Sequence, residues 1–116
     1  MRGTITIAGI EVDMVANAAT PYRFKQIFGQ DFFLLSRKMA DETDPEVSDA
    51  TASDTFIKLG YIMAMQARGE KMDKLNSDTF LAWLEGFDEA NALLEAISEI
   101  AAIYRGQERG TISPKQ

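Results

Sequence analysis

The 116 residues contain no cysteine and no histidine. The first absence removes disulfides, thiolate nucleophiles and cysteine-based zinc or iron–sulfur sites; the second removes the commonest general base and transition-metal ligand. No run of eighteen apolar residues and no basic, apolar, small-residue leader occurs, so neither a membrane span nor a signal peptide is expected, and the chain reads as cytoplasmic. A basic stripe is missing too. A protein that lives on phosphate backbones needs one, because neutralising phosphates and releasing counterions supplies most of the affinity, so nucleic acid is not an expected partner. Without His or Cys the chemistry left is paired carboxylates or a lysine, and no two acids fall together on an apolar face. No catalytic residue, metal ligand or cofactor is assigned, and the protein is read as a non-enzyme.

What the chain does have is apolar content, 46% of its residues, enough for one small domain with a compact core. Its net charge of −6 is unevenly spread. Asp41, Glu42, Asp44, Glu46, Asp49 and Asp54 occur with no intervening lysine or arginine, and these six carboxylates equal the whole excess. "DETDPE" lacks the alternating ligands, central glycine and closing glutamate of a calcium hand, so 41–52 is read as a solvated acidic loop.

Aromatics are the other concentration. "ATPYRFKQIFGQDFF" places five rings in fifteen residues, open to reading as core, as a partner-facing patch or as a base-stacking platform. Upstream, Thr4 to Ala16 reads as a hairpin: Ile5 and Ile7 alternate with threonines, and Ile10, Val12 and Met14 with acids, around Ala8-Gly9. A two-residue turn sets Ile7 opposite Ile10 and Ile5 opposite Val12, with all five apolar residues on one side. The turn type stays open, since Ala8 resists the positive φ of a type I′ turn and a bulge at Gly9 is the alternative.

Thr20 as N-cap and Pro21 at the first helical position open a short helix with Phe24, Ile27 and Phe28 on one face, ended by Gly29. Asp31 restarts a second, with Phe32, Leu35 and Met39 sharing a face. Rings at that spacing are core rings. Tyr22 and Phe33 fall off the stripes and are the rings expected to be exposed. Ser53 is read as the cap of a long central helix to about Ala67, apolar nearly all round, in which Gly60 allows a neighbour to approach closely. After a charged connector, Ser77 caps a short helix in which Phe80, Leu81 and Leu84 pack, with Trp83 off that stripe as a lid on the core or a partner anchor. The last helix runs from about Asp88 to Arg105, with Leu93, Ile97, Ile100 and Tyr104 on one face and Ala90, Leu94 and Ala101 widening it. The fold class is therefore α+β, mainly α: an N-terminal β-hairpin (4–16) packed on about five helices (20–105), two short, one central, one short and one long and C-terminal. They form a single globular domain (1–105), followed by a tail, 106–116, expected to be disordered.

The run "AATPYRFKQIFGQDF" after a hairpin, "LGYIMAMQA" in a central helix, "FLAWLEGF" after a charged connector and a closing "LLEAISEIAAIY" helix resemble the tail assembly chaperones of long-tailed phages and prophages of Gram-positive bacteria. The similarity spans about residues 4–104 and is most specific at Thr20-Pro21-Tyr22-Arg23-Phe24 leading to Phe28-Gly29-Gln30-Asp31. Gln30 is a departure, since relatives commonly carry arginine before the aspartate. The resemblance implies a protein that binds the tape-measure protein, keeps it soluble, helps recruit tail-tube subunits and is absent from the finished virion. Implied partners are the tape-measure protein and, as a further candidate, the major tail protein, with homo-oligomers also compatible; partner-binding candidates are Trp83, Tyr22 and Phe33. Many relatives are also made in a longer, frameshifted form. Rival readings are a structural head-tail connector or minor tail protein, which would stay in the particle, and a small regulatory or antitoxin-like binding module.

Overall fold

Strict alternation over residues 2–15 makes a two-stranded antiparallel ribbon, β1 (Arg2–Ile7) and β2 (Ile10–Val15), the N-terminal element of a computed structural model that describes residues 1–106. Its register sets Ile7 opposite Ile10 and Ile5 opposite Val12, as the two-residue turn requires. Both turn residues adopt positive φ, 49° at Ala8 and 81° at Gly9, the backbone of a type I′ turn. Alanine thus occupies a left-handed position without the latitude of glycine or asparagine. Ile5, Ile7, Val12 and Met14 are buried, whereas Ile10, beside the turn, extends past the covering helices and is exposed.

Five α-helices follow: α1 (Thr20–Phe28), α2 (Phe32–Asp41), α3 (Pro45–Arg68), α4 (Ser77–Glu85) and α5 (Ala92–Arg105), with a 3₁₀ turn at Met72–Lys74 before α4. The α+β, mainly α class is the observed one. Helix α3 is the central element, lying against β2, α5, α1, α2 and α4, while α5 covers β1. Its residues Leu59–Met65 are buried without a break, so this stretch has no solvent face. Small residues set the helix spacing. A Cβ at Gly60 would lie 2.9 Å from Ile100 Cδ1 on α5, and one at Gly3 would lie 2.9 Å from Ile103 on the same helix. The buried side chains form one cluster.

The rings answer the question raised by the aromatic run. Phe24, Phe28, Phe32, Phe56, Tyr61, Phe80, Trp83, Phe87 and Tyr104 join edge-on or tilted into one connected network. It runs from α5 through α1, α2 and α3 to α4. Such pairs add about 0.5–1.5 kcal/mol each beyond their burial, and they tie helices too short to persist alone. Polar side chains fasten the same helices: Gln66 Nε2 donates to Val15 O at 2.6 Å and to Thr20 Oγ1 at 2.9 Å, and the Tyr61 hydroxyl donates to Thr79 Oγ1 at 2.7 Å.

Several boundaries differ from the sequence reading. The acidic segment 41–52 is not a loop: only 42–44 connect α2 to α3, and the rest belongs to helices. Asp44 caps α3, its carboxylate accepting from the Glu46 N–H at 3.0 Å, Pro45 takes the first helical position and Glu46 lies in the first turn. Acids placed there face the positive end of the helix dipole, which offsets their mutual repulsion. Ser53 is consequently an interior residue of α3 rather than its cap. Thr20 is not the N-cap of α1, which is Ala19; its hydroxyl is buried and accepts from the Asn17 N–H and from Gln66. Asn76, not Ser77, caps α4 through a reciprocal capping box with Thr79. α5 starts at Ala92, after a turn over 88–91. Leu81 and Leu94, expected to pack, are exposed, as is Ala90. Gly106 ends α5 with φ 71°, and the expectation of a disordered tail falls on 107–116, outside the described residues. No helix among the described residues is long and apolar enough to cross a membrane.

Candidate functional site

Two rings stand outside the aromatic network. Tyr22 is 66% exposed and Phe33 55% exposed, and they meet edge-on with centroids 5.8 Å apart. Leu34, 51% exposed, extends the same apolar surface. Local sequence explains the arrangement. Pro21 and Phe24 turn the inner face of α1 into the core, which leaves Tyr22 outward. Gly29, at φ 71°, closes α1 in the left-handed region and allows the chain to reverse quickly. Asp31 then caps α2, its carboxylate accepting from the Leu34 N–H at 3.1 Å. With Phe32 fixed inward, Phe33 and Leu34 must face out.

The corner is also where cations gather. Between Thr20 and Met39 the chain carries Arg23, Lys25, Arg37 and Lys38 against the single carboxylate of Asp31. Lys25 lies one turn after Tyr22 and Arg37 one turn after Phe33, so each shares a helix face with a ring. Arg37, Asp31, Phe33 and Leu34 line a shallow depression of about 290 Å³. Neither Lys25 nor Arg37 has an ion-pair partner among the described residues, where the salt bridge is Lys58 to Asp54 at 2.9 Å. Lys58 also donates to Gln30 Oε1 at 3.2 Å. Gln30 therefore has a local role that arginine could not fill, since arginine would set a second cation beside Lys58.

The three residues singled out in the sequence separate into two groups. Tyr22 and Phe33 come together at this corner. Trp83 does not join them: it is 9% exposed, tilted against Tyr61 and edge-on to Phe87 with centroids at 5.5 and 5.2 Å, and it closes the core rather than facing outward. Leu34 and Arg37 were not foreseen, although Leu34 falls off the Phe32–Leu35–Met39 stripe by the same reasoning that exposed Phe33. A wider groove of about 460 Å³ lies between α2, α3 and the C-terminal end of α5, lined in part by Phe32, Ser36, Met39, Phe56 and Tyr104. Burial raises the Tyr104 hydroxyl pKa above its ordinary value of 10, and burial, partly opposed by the Thr79 hydrogen bond, does the same at Tyr61. No cluster of three or more Asp or Glu side chains able to hold a metal occurs among the described residues. What the corner offers is contact: two rings, a leucine and two unpaired cations on rigid helices. The chain has no significant match among protein-family models, curated proteins or solved structures.

Proposed function

We propose that the protein is a phage tail assembly chaperone, which binds the tape-measure protein in the host cytoplasm, keeps it soluble while tail-tube subunits are recruited, and leaves before the particle is complete. The observation that carries this reading is the Tyr22–Phe33 pair, held outside a network that absorbs the other nine rings. Tyr22 lies within "TPYRF", where the resemblance to these chaperones is most specific, and Phe33 directly follows the matching "FGQDF". An exposed apolar patch on a small soluble domain commonly marks an interaction surface. A tape measure exposes long apolar stripes before the tube encloses them, and a small acidic domain that covers such stripes also keeps the complex dispersed through its charge. Many copies on one long chain can each bind weakly, near micromolar or about −8 kcal/mol, and still hold through avidity.

The test is co-expression with the tape-measure protein encoded in the same gene cluster. The wild-type chain moves that protein into the soluble fraction and co-elutes with it. The double change Tyr22→Ser/Phe33→Ser abolishes this while helix content and melting point stay the same. Trp83→Phe, which keeps a ring in the core network, leaves solubilisation intact. Mass spectrometry of purified virions finds no copy of the protein; a stoichiometric copy there would replace the chaperone reading with that of a connector or minor tail component.

A further inference from the structure

We infer that the Tyr22–Phe33–Leu34 corner docks an acidic amphipathic helix, whose apolar side chains cover the rings and whose carboxylates pair with Lys25 and Arg37. This rests on the same corner as the chaperone reading and names the chemistry of the segment it receives. Three observations carry it. The apolar part of the surface is built by two helices meeting at a corner, with a depression of about 290 Å³ at Phe33 and Leu34 that accepts one large aliphatic or aromatic side chain. Such a surface suits a helix presenting side chains at i, i+3 and i+4. The two cations that share helix faces with the rings have no carboxylate partner among the described residues. The one carboxylate at the site, Asp31, is engaged by the Leu34 N–H.

The protein is acidic overall, which raises the question of whether long-range repulsion defeats this attraction. Asp54, which α3 brings toward Gln30, is paired with Lys58 at 2.9 Å, and the other acids of the cluster begin at Asp41, at the far end of α2 from Phe33. Eight residues of helix separate the two positions by about 12 Å. That exceeds the screening length of about 8 Å at physiological ionic strength, so contacts at the corner prevail. The same balance disfavours other anionic partners. A nucleic acid or an anionic membrane needs an extended basic surface, and the four cations between Thr20 and Met39, on a chain of net charge −6, do not supply one. The acidic turn of a second copy is a poorer occupant as well, since it presents one exposed apolar residue, Val47, to a surface of two rings and a leucine.

Two labelled helical probe peptides test this, identical in their leucine positions but carrying either glutamate or lysine beside them, titrated by fluorescence anisotropy against the full chain. Each exposed charge contact changes affinity a few-fold, and two cations that attract one peptide and repel the other compound to about a tenfold preference for the glutamate peptide at low salt. In about 0.5 M sodium chloride the preference falls below about twofold. Lys25→Glu/Arg37→Glu reverses it, and Tyr22→Ser/Phe33→Ser removes binding of both peptides with circular dichroism unchanged. The inference is overturned by equal binding, by preference for the lysine peptide, or by indifference to either double variant. Phosphatidylglycerol vesicles or a single-stranded oligonucleotide bound at the corner as tightly as the glutamate peptide would overturn it too. So would sedimentation showing that the Tyr22→Ser/Phe33→Ser change converts a wild-type oligomer to monomer. Solubilisation of the tape measure without binding of the glutamate peptide defeats this inference alone; binding of the peptide without solubilisation defeats the chaperone reading and leaves the docking surface in place.

Discussion

Replacing Gly60 by alanine measures how closely α5 is pressed against α3. The new Cβ would lie 2.9 Å from Ile100 Cδ1 and 3.5 Å from its Cγ1 and Cγ2. Carbon atoms in contact prefer about 3.5–4.0 Å, so a single methyl group accounts for the overlap. Ile100 is fully buried, which leaves that methyl no solvent to swing into. Overpacking of this kind costs about 1–3 kcal/mol, and the gain from replacing glycine within a helix offsets about 1 kcal/mol. The expected net is a loss of about 1 kcal/mol, a drop of about 4–8 °C in melting temperature for a domain of this size. Ile100→Val removes only Cδ1 and costs about 1 kcal/mol by itself. In that background the remaining contacts at 3.5 Å are ordinary, so Gly60→Ala becomes stabilising, and the two changes couple favourably by about 2 kcal/mol. Urea unfolding of the four proteins gives this value directly. A Gly60→Ala variant more stable than wild type, or a coupling below about 0.5 kcal/mol, would refute the close approach of the two helices.

Asp44→Ala should cost about 1 kcal/mol by removing the N-cap of α3, whereas Ser53→Ala, at an interior helical position, should change stability by less than about 0.5 kcal/mol; thermal denaturation of the pair separates a helix that begins at Pro45 from one that begins at Ser53. Alkaline titration tests the buried phenol of Tyr61 and the half-buried one of Tyr104. Tyr61 and Tyr104 have folded pKa values raised above 10, chiefly by desolvation, so the stability they contribute is intact below pH 10 and is lost as pH rises through their folded values. Tyr61→Phe/Tyr104→Phe should flatten that alkaline loss in melting temperature, and an undiminished slope would show that neither hydroxyl is responsible.

The register of the hairpin was legible because a period of two and a two-residue turn admit one pairing that buries Ile5, Ile7, Val12 and Met14 together, whereas its ends, read as Thr4 and Ala16, lie at Arg2 and Val15, and Ile10, read onto the same side, is exposed. The exposure of Tyr22 and Phe33 was legible for a similar reason: once Phe24 and Phe32 are committed inward, helical spacing sends their neighbours out. The acidic segment was misread because its carboxylates were weighed only against one another. Their position ahead of and inside the first turn of α3, beside Pro45, turns the same charges into a start signal. Thr20 shows a different limit. Its hydroxyl suits a cap, but Gln66, 46 residues away, draws it into the interior instead. That the two exposed rings would touch, and that Arg37 would stand beside them, depends on the angle between α1 and α2, which no spacing within either helix encodes.

The division of the aromatic residues bears on how such a surface can change. Nine rings hold one another, and altering Phe28, Phe32 or Tyr61 disturbs three ring contacts at once. Tyr22 and Phe33 contact each other and lie largely in solvent, so the fold asks little of either. Substitution at 22, 33 and 34 is therefore nearly free of stability constraints, and the corner can follow a drifting partner sequence while the scaffold stays fixed. The same independence makes it a place to graft new recognition: a library varied at these three positions should yield folded proteins at nearly every member, with selection acting on affinity alone.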